Sequence, residues 1–307
     1  MNKKVAIIIV TWNGMKWIER CLTSVRRSKF PAHVFLVDNK SADGTPEFIK
    51  KKYTEVTIIC SKENLGFGKA NNIAIKQAYE QGYDYFFLLN QDAYLLPDTI
   101  GRLLETASTG KFAIISPVHL NGKATDVDPY FRDFVLAKCP GYLKESVLHE
   151  GKALFESDFI PAAAWFVPRS TIDEIGGFDP LFYHYGEDDN YCQRCLYHKR
   201  KIVFTTNAFI RHDRFATVGN KQMYNYKLFY RHLLQDSANI LYGKGYIIQK
   251  LGRQFYDETG LFLMYLMTGK WNALHNFVGD YCRILFNLRR IRNSRRENKL
   301  LHGLTIK

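Results

Sequence analysis

The 307-residue sequence predicts an α/β fold, a mainly parallel twisted sheet flanked by helices, with a C-terminal helical appendage. Three observations predict it. Short β-branched and apolar runs alternate with helix-period segments through residues 5–116, the pattern of a parallel sheet covered on both faces. Polar clusters stand directly after several of those runs, where the carboxyl ends of strands would lie. The texture changes near residue 220, beyond which aromatic and aliphatic residues mix irregularly with Lys and Arg.

Residues 5–10 are a β-branched run expected of a strand buried on both faces. Trp17, Ile18, Cys21, Leu22 and Val25 then recur at helical spacing. Residues 34–37 predict a second strand, 46–52 a short helix and 56–60 a third strand. Residues 69–79 are helical, with Ala70, Ile73, Ala74 and Ala78 on one face. Strands follow at 85–89 and 113–116, whereas 121–155 shows no clear period and reads as loops with short elements. Helical patterning returns at 188–197, and 202–205 predicts a further strand.

The composition bounds the class. Hydrophobic residues make up 46% of the chain, which argues against disorder. The formal charge is +13, which points to an anionic partner. Basic residues are partly spread through the chain and partly massed at its end, while the polar clusters are acidic; no base-stacking platform ringed by cations is apparent, so no nucleic-acid partner is expected. Six scattered cysteines do not resemble a secreted disulfide framework and fit reduced thiols of a cytoplasmic protein. Lys3-Lys4 before residues 5–10 mimics a signal peptide, but the run is short and meets Asn13-Gly14 without a small-residue cleavage site. The best later apolar stretch, 261–267, is far too short to span a bilayer.

A dinucleotide-binding turn wants G-x-G-x-x-G after the first strand; here Thr11-Trp12-Asn13-Gly14 holds one glycine, which excludes a nicotinamide cofactor. Asp38, ending the second strand, can accept hydrogen bonds from a base or ribose, or it can cap its own turn with Ser41 and Asp43. Asn64-Leu65-Gly66-Phe67-Gly68 precedes a helix bearing Asn71 and Asn72, so its backbone NH groups could approach phosphate; a plain loop fits as well. Asn90-Gln91-Asp92 follows a very apolar strand, where a carboxylate can hold a hard divalent cation and so neutralise a diphosphate. Glu187-Asp188-Asp189 sets three acids side by side, partly explained by a helix N-terminus and otherwise by a general base. His212 is read as structural or as a ligand.

Taken in order, Thr11-Trp12-Asn13, Val37-Asp38-Asn39 with Ser41 and Asp43-Gly44-Thr45, Asn64-x-Gly66-Phe67-Gly68, Asn90-Gln91-Asp92 and Gly186-Glu187-Asp188 resemble glycosyltransferase family 2, particularly its bacterial rhamnosyltransferase-like members. The resemblance spans residues 4–215. It implies a GT-A fold, a UDP- or dTDP-linked sugar donor, Mg²⁺ or Mn²⁺, and inversion at the anomeric carbon. Residues 1–220 would be the catalytic domain, with nucleotide-sugar binding in 1–116 and the acceptor and catalytic part in 117–220. By position, Asp188 would be the catalytic base. Thr11, Asn13, Asp38, Asn39, Asn64, Gly66, Asn71, Asn90 and Gln91 would serve the donor. Glu187 and Trp165 would lie on the acceptor side, and Asp92 with His212 would hold the metal. Two departures stand out: Asn90 replaces the first acid of the D-x-D motif, and Asn190 replaces the acid two places after the base. The first keeps open an inactive, sugar-nucleotide-binding or scaffold protein of the same fold.

The expected acceptor is a saccharide or a lipid-linked sugar, in cell-surface polysaccharide or glycolipid assembly. Residues 221–307 form a basic, aromatic-rich helical region; Phe262, Tyr265, Leu266, Trp271, Phe277, Tyr281 and Phe286 are followed by Arg283, Arg289, Arg290, Arg292, Arg295, Arg296 and Lys299. Such a segment predicts a peripheral contact at the inner face of the plasma membrane, with a helical appendage packing on the catalytic domain or on a second subunit, and a solvated basic tail, as the other reading.

Overall fold

The computed structural model describes residues 3–148, 151–213 and 226–301. The chain divides into two compact units, residues 1–216 with 301–307, and residues 217–300.

In the first unit the order is β1 (Val5–Thr11), α1 (Ile18–Arg26), β2 (His33–Asp38), α2 (Thr45–Lys52), β3 (Thr57–Cys60) and α3 (Phe67–Glu80). There follow β4 (Tyr85–Asn90), β5 (Ala93–Leu95), α4 (Thr99–Ser108), β6 (Phe112–Asn121), α5 (Pro129–Lys138) and α6 (Pro140–Leu148). The unit closes with β7 (Leu154–Glu156), β8 (Ala164–Pro168), α7 (Arg169–Ile175), α8 (Glu187–Tyr197) and β9 (Lys201–His212).

One sheet runs in the order β3-β2-β1-β4-β8-β6-β9-β5, with β7 paired to β9. β1, β2, β3 and β4 are mutually parallel, and β6 is parallel to β9. β8 lies antiparallel between β4 and β6, and β5 and β7 run antiparallel to β9. The parallel ladders hold most of the paired residues, and the carboxyl ends of β1, β2, β4, β6 and β9 share one edge. The chain moves from β1 to β2 and β3 on one side, then returns to β4 on the other. The reversal falls between the ends of β1 and β4, the place where ligands settle in the crevice of such sheets.

Both faces of the sheet are buried, which explains the unbroken apolar runs. Ala6, Ile8, Phe35 and Val37 pack under α3, while Val5, Ile7, Ile9 and Leu36 pack under α1. Along α3 the buried stripe is Ala70, Ala74, Ile75 and Ala78; Ile73, expected on that face, is exposed, because it lies beyond the other edge of the arc. The segment 121–155, expected as loops with short elements, contains the two short helices α5 and α6. The start of α5 is fixed by Asp128, whose carboxylate accepts from the Phe131 NH at 2.9 Å, with Pro129 at the first helical position.

The second unit holds α9 (Tyr226–Ala238), α10 (Lys244–Met267), α11 (Trp271–Phe286) and α12 (Leu288–Glu297). α11 packs on α9 and α10, and α12 on α9. Leu233, Tyr265, Phe277, Ile284 and Ile291 are buried. The basic flank read from the sequence forms α12, which buries Ile291 within this unit. Arg295 donates to the carbonyls of Asn239 and, at 2.7 Å, Tyr242, and so locks α12 to the segment after α9. No described helix is long and apolar enough to cross a membrane.

Candidate active site at the carboxyl edge of the sheet

The strand-end residues wire the loops of this edge to one another. The Thr11 hydroxyl donates to Gln91 Oε1 at 2.6 Å, and the Trp12 NH donates to the same oxygen at 3.0 Å. Gln91 thus stitches the loop after β4 to the end of β1, across the crevice. Thr11 is buried and acts through Gln91, whereas the indole of Trp12 is 55% exposed. Trp12 belongs to the Thr11-Trp12-Asn13 motif but has no role of its own in the sequence reading.

On the next strand, Asp38 is buried, and its two oxygens accept from the Ser41 NH at 2.9 Å and the Ser41 hydroxyl at 2.5 Å. Ser41 accepts in turn from the Asn13 NH at 2.8 Å, and Asn13 Oδ1 accepts from the Ala42 NH at 2.9 Å. Asn13 sits at φ 49°, in the left-handed region that Asn tolerates best among residues with a Cβ. Asp38 and Asn13 therefore order one loop between them. Asp43 is a turn residue, accepting from the Met15 and Thr45 NH groups and the Thr45 hydroxyl.

Asn39 spans to the third loop. Its Nδ2 donates to the Gly66 carbonyl at 3.1 Å, and its Oδ1 accepts from the Leu65 NH at 3.1 Å. Asn64 accepts from the Gly66 NH at 2.9 Å. Gly66 has φ 78°, and a Cβ there would lie 1.8 Å from the Tyr183 carbonyl oxygen. Asn71 is buried and donates to the Phe67 carbonyl within α3. Its neighbour Asn72 holds the backbone of Phe178 at both ends, donating to its carbonyl at 2.9 Å and accepting from its NH at 2.7 Å. These contacts bolt the 64–72 segment to the loop that leads into α8.

That loop ends on Tyr185 and Gly186, at φ 67° and 96°, and delivers Asp188 to the first turn of α8. Desolvation pushes the Asp188 carboxyl above its ordinary value, against the opposing pull of hydrogen bonds from the Asp189, Ala162 and Gly186 backbone. Ala162 and Ala163 lead into β8, and the Ala163 carbonyl accepts from the Asn90 NH at 3.0 Å.

The last pair lies at β9. His212 is buried, with Nε2 3.4 Å from Asp92 Oδ1 and Nδ1 3.9 Å from Asp128 Oδ2. The His119 ring stands 5.9 Å away at right angles. Next to them, Asp213 accepts from Arg20 at 3.0 Å and from the Tyr94 hydroxyl at 3.2 Å, and its NH donates to the Asp92 carbonyl at 2.8 Å. Asp128 was not singled out, although Asp128-Pro129 carries the signature of a capped helix start.

Two assignments are corrected by burial. Trp165 has no exposed surface: it stacks on Phe178 and donates to the Ile160 carbonyl at 3.1 Å, so it is core and meets no acceptor. Glu187 is also buried, so it offers little surface to an acceptor. A cavity of about 730 Å³ lined by Arg102, Phe112, Lys201 and Val203 lies at the amino ends of β6 and β9, away from this edge.

A mixed sheet of this order, with polar loops wired together at its carboxyl edge, is a GT-A glycosyltransferase architecture. The chain matches the Staphylococcus aureus TarS 1–349 structure in complex with UDP-GlcNAc at a TM-score of 0.58 and 17% identity, over 96% of this chain and 89% of that one. The UDP complex of the same protein matches at 0.56. Residues 6–158 match the family model for glycosyl transferase family 2, and the chain carries a glycosyltransferase domain of that family. Among curated relatives, it is 24% identical over 253 residues to the N-acetylglucosaminyl-diphospho-decaprenol L-rhamnosyltransferase of Mycobacterium tuberculosis, covering 71% of this chain and 79% of that protein. It is 25% identical over 201 residues to the dTDP-rhamnosyl transferase RfbF of Shigella flexneri, covering 64% of each.

Proposed function

We propose that this protein transfers a sugar, with inversion, from a UDP- or dTDP-linked donor to the hydroxyl of a saccharide or lipid-linked acceptor. The observation that carries the reading is Asp188: a carboxylate raised by desolvation, on a helix start bolted to the Asn64–Asn72 segment, at the edge where the donor crevice opens. In the reaction the acceptor oxygen forms a bond to the anomeric carbon as the bond from that carbon to the diphosphate oxygen breaks. The acceptor proton passes to Asp188, and the nucleoside diphosphate leaves from the opposite face. A carboxylate with a raised pKa is a stronger base than an exposed one, which suits it to this proton transfer.

The donor side rests on the wired loops. Asp38 and Asn13 would set the wall that meets the base, Asn39, Asn64 and Gly66 the turn behind it, and Gln91 the floor between β1 and β4. Asp92 and His212 fit a divalent cation, since a carboxylate oxygen and an imidazole nitrogen already stand 3.4 Å apart at the strand ends. Mg²⁺ or Mn²⁺ bound there supplies charge to offset the departing diphosphate. The M. tuberculosis relative's name supports a polyprenyl-diphosphate-linked acceptor, which would be met at the cytoplasmic face of a membrane. The test is a thermal-shift screen of UDP- and dTDP-sugars with and without Mn²⁺, followed by detection of released nucleoside diphosphate with acceptor present. Stabilisation by one donor together with acceptor-dependent release is expected; neither response with any donor would overturn the reading.

A further inference from the structure

We propose that the tip of the α10–α11 hairpin is a membrane-insertion element that seats the second unit in the surface of an anionic bilayer. The hairpin has a closed inner seam and an open tip. Between the helices the rings of Phe262 and Phe277 approach to 6.2 Å and those of Phe255 and Tyr281 to 5.4 Å, while Phe277 and Tyr281 meet at 5.3 Å along α11. Outside that seam, at the reversal, Leu263, Met264, Leu266, Met267 and Trp271 are exposed, Met267 at 85% and Trp271 at 64%.

The backbone of the tip is suited to an apolar medium. Thr268 donates its NH and hydroxyl to the Met264 carbonyl, Lys270 donates to the Tyr265 carbonyl, and Trp271 to the Gly269 carbonyl. Gly269, at φ +65°, makes the reversal without strain. These bonds pair part of the turn's backbone, which lowers the cost of bringing it to the lipid surface.

Charge decides what covers the tip. Residues 259–279 contain no Asp or Glu, with Lys270 at the turn itself. Residues 217–300 hold 14 Lys and Arg against 5 Asp and Glu. A second copy of the same face would bring like charge, whereas an anionic headgroup layer offers the opposite sign, and Trp with Lys at the rim is the composition of an interfacial anchor. α10 and α11 are not apolar enough to span, so the tip enters one leaflet. The inference stands on this hairpin alone and does not depend on the assignment of Asp188 or of the donor.

The test uses the full chain and vesicles of phosphatidylcholine with or without phosphatidylglycerol. Co-sedimentation with the phosphatidylglycerol vesicles is expected to exceed that with phosphatidylcholine alone. Leu263→Glu with Met267→Glu, both at exposed positions, is expected to weaken binding about tenfold or more while the melting curve is kept. Lipids brominated along the acyl chain are expected to quench the tryptophan emission of the wild type but not that of Trp271→Phe. Equal binding by wild type and the double variant would overturn the proposal. So would a wild-type dimer that the double variant splits, since that would make the tip a contact between copies.

Discussion

His212 Nε2 stands 3.4 Å from Asp92 Oδ1, where the end of β9 meets the start of β5. The pairing of Ala93 with His212 fixes the turn that carries Asp92 beside the end of β9. Asn90, two places earlier, offers no charge, which leaves Asp92 as the carboxylate of that motif.

The first prediction follows from this pair. Thorough chelation with EDTA should abolish sugar transfer, and added Mn²⁺ should restore it. Asp92→Ala should remove the Mn²⁺-dependent part of the thermal stabilisation by nucleoside diphosphate, and His212→Ala should reduce it. Transfer that persists unchanged through chelation would contradict the metal role.

The second concerns pH. The base accepts a proton only when ionised, so transfer should fall by about tenfold per pH unit below the Asp188 pKa. Desolvation raises that pKa, so the acid limb of kcat/KM should lie above the ordinary carboxylate value of about 4. The same shift has a stability consequence. A raised folded-state pKa gives stability that is present at low pH and lost as pH rises through it. Asp188→Asn should therefore melt higher than wild type at neutral pH, with the difference shrinking on acidification. Melting curves across pH check the sign.

The third concerns the close approach at Gly66. A Cβ at this position would sit 1.8 Å from a backbone oxygen, and φ 78° disfavours any other residue. Gly66→Ala should cost about 3 kcal/mol or more, visible as a lowered Tm. Gly44→Ala, at φ +84° with open space around it, should cost less, about 1 kcal/mol. Equal losses would show that Tyr183 does not press on the turn as described.

Much of the fold was legible because local signals agreed with it. The runs at 5–10, 34–37 and 85–89 became β1, β2 and β4, since strands buried on both faces must be apolar throughout. The strand-end motifs could be found for the same reason: polar residues after such runs stand out. What could not be read was non-local. Whether Asp38 serves a ligand or its own turn depends on Ser41 folding back on it, and the period of residues 129–148 is blurred by apolar residues on several faces. The resemblance places Trp165 on the acceptor side, and its own sequence neighbours give no sign that Phe178 and Tyr191 cover it. β8, running antiparallel between β4 and β6, leaves no mark in its own sequence.

The fourth prediction concerns Asp38. Asp38→Ala should raise the donor KM more than it lowers kcat, because a base contact is made equally in ground and transition states. It should also lower Tm, since the Ser41 NH and hydroxyl lose their acceptor. Asp38→Asn keeps one acceptor oxygen and should sit between wild type and Ala on both measures. A kcat defect with unchanged KM would move Asp38 away from the donor base.

The central claim is that Asp188 is the base of a sugar transfer. The direct measurement is the rate of transfer, with the donor that stabilises the protein, in wild type, Asp188→Asn and Asp189→Asn. Asp188→Asn should fall by about 10²-fold or more, the usual contribution of general-base catalysis, while donor binding is retained. Asp189→Asn should stay within about tenfold of wild type, since Asp189 meets Asp188 through its backbone NH, which the substitution keeps. Near-normal transfer by Asp188→Asn with collapse of Asp189→Asn would contradict the account.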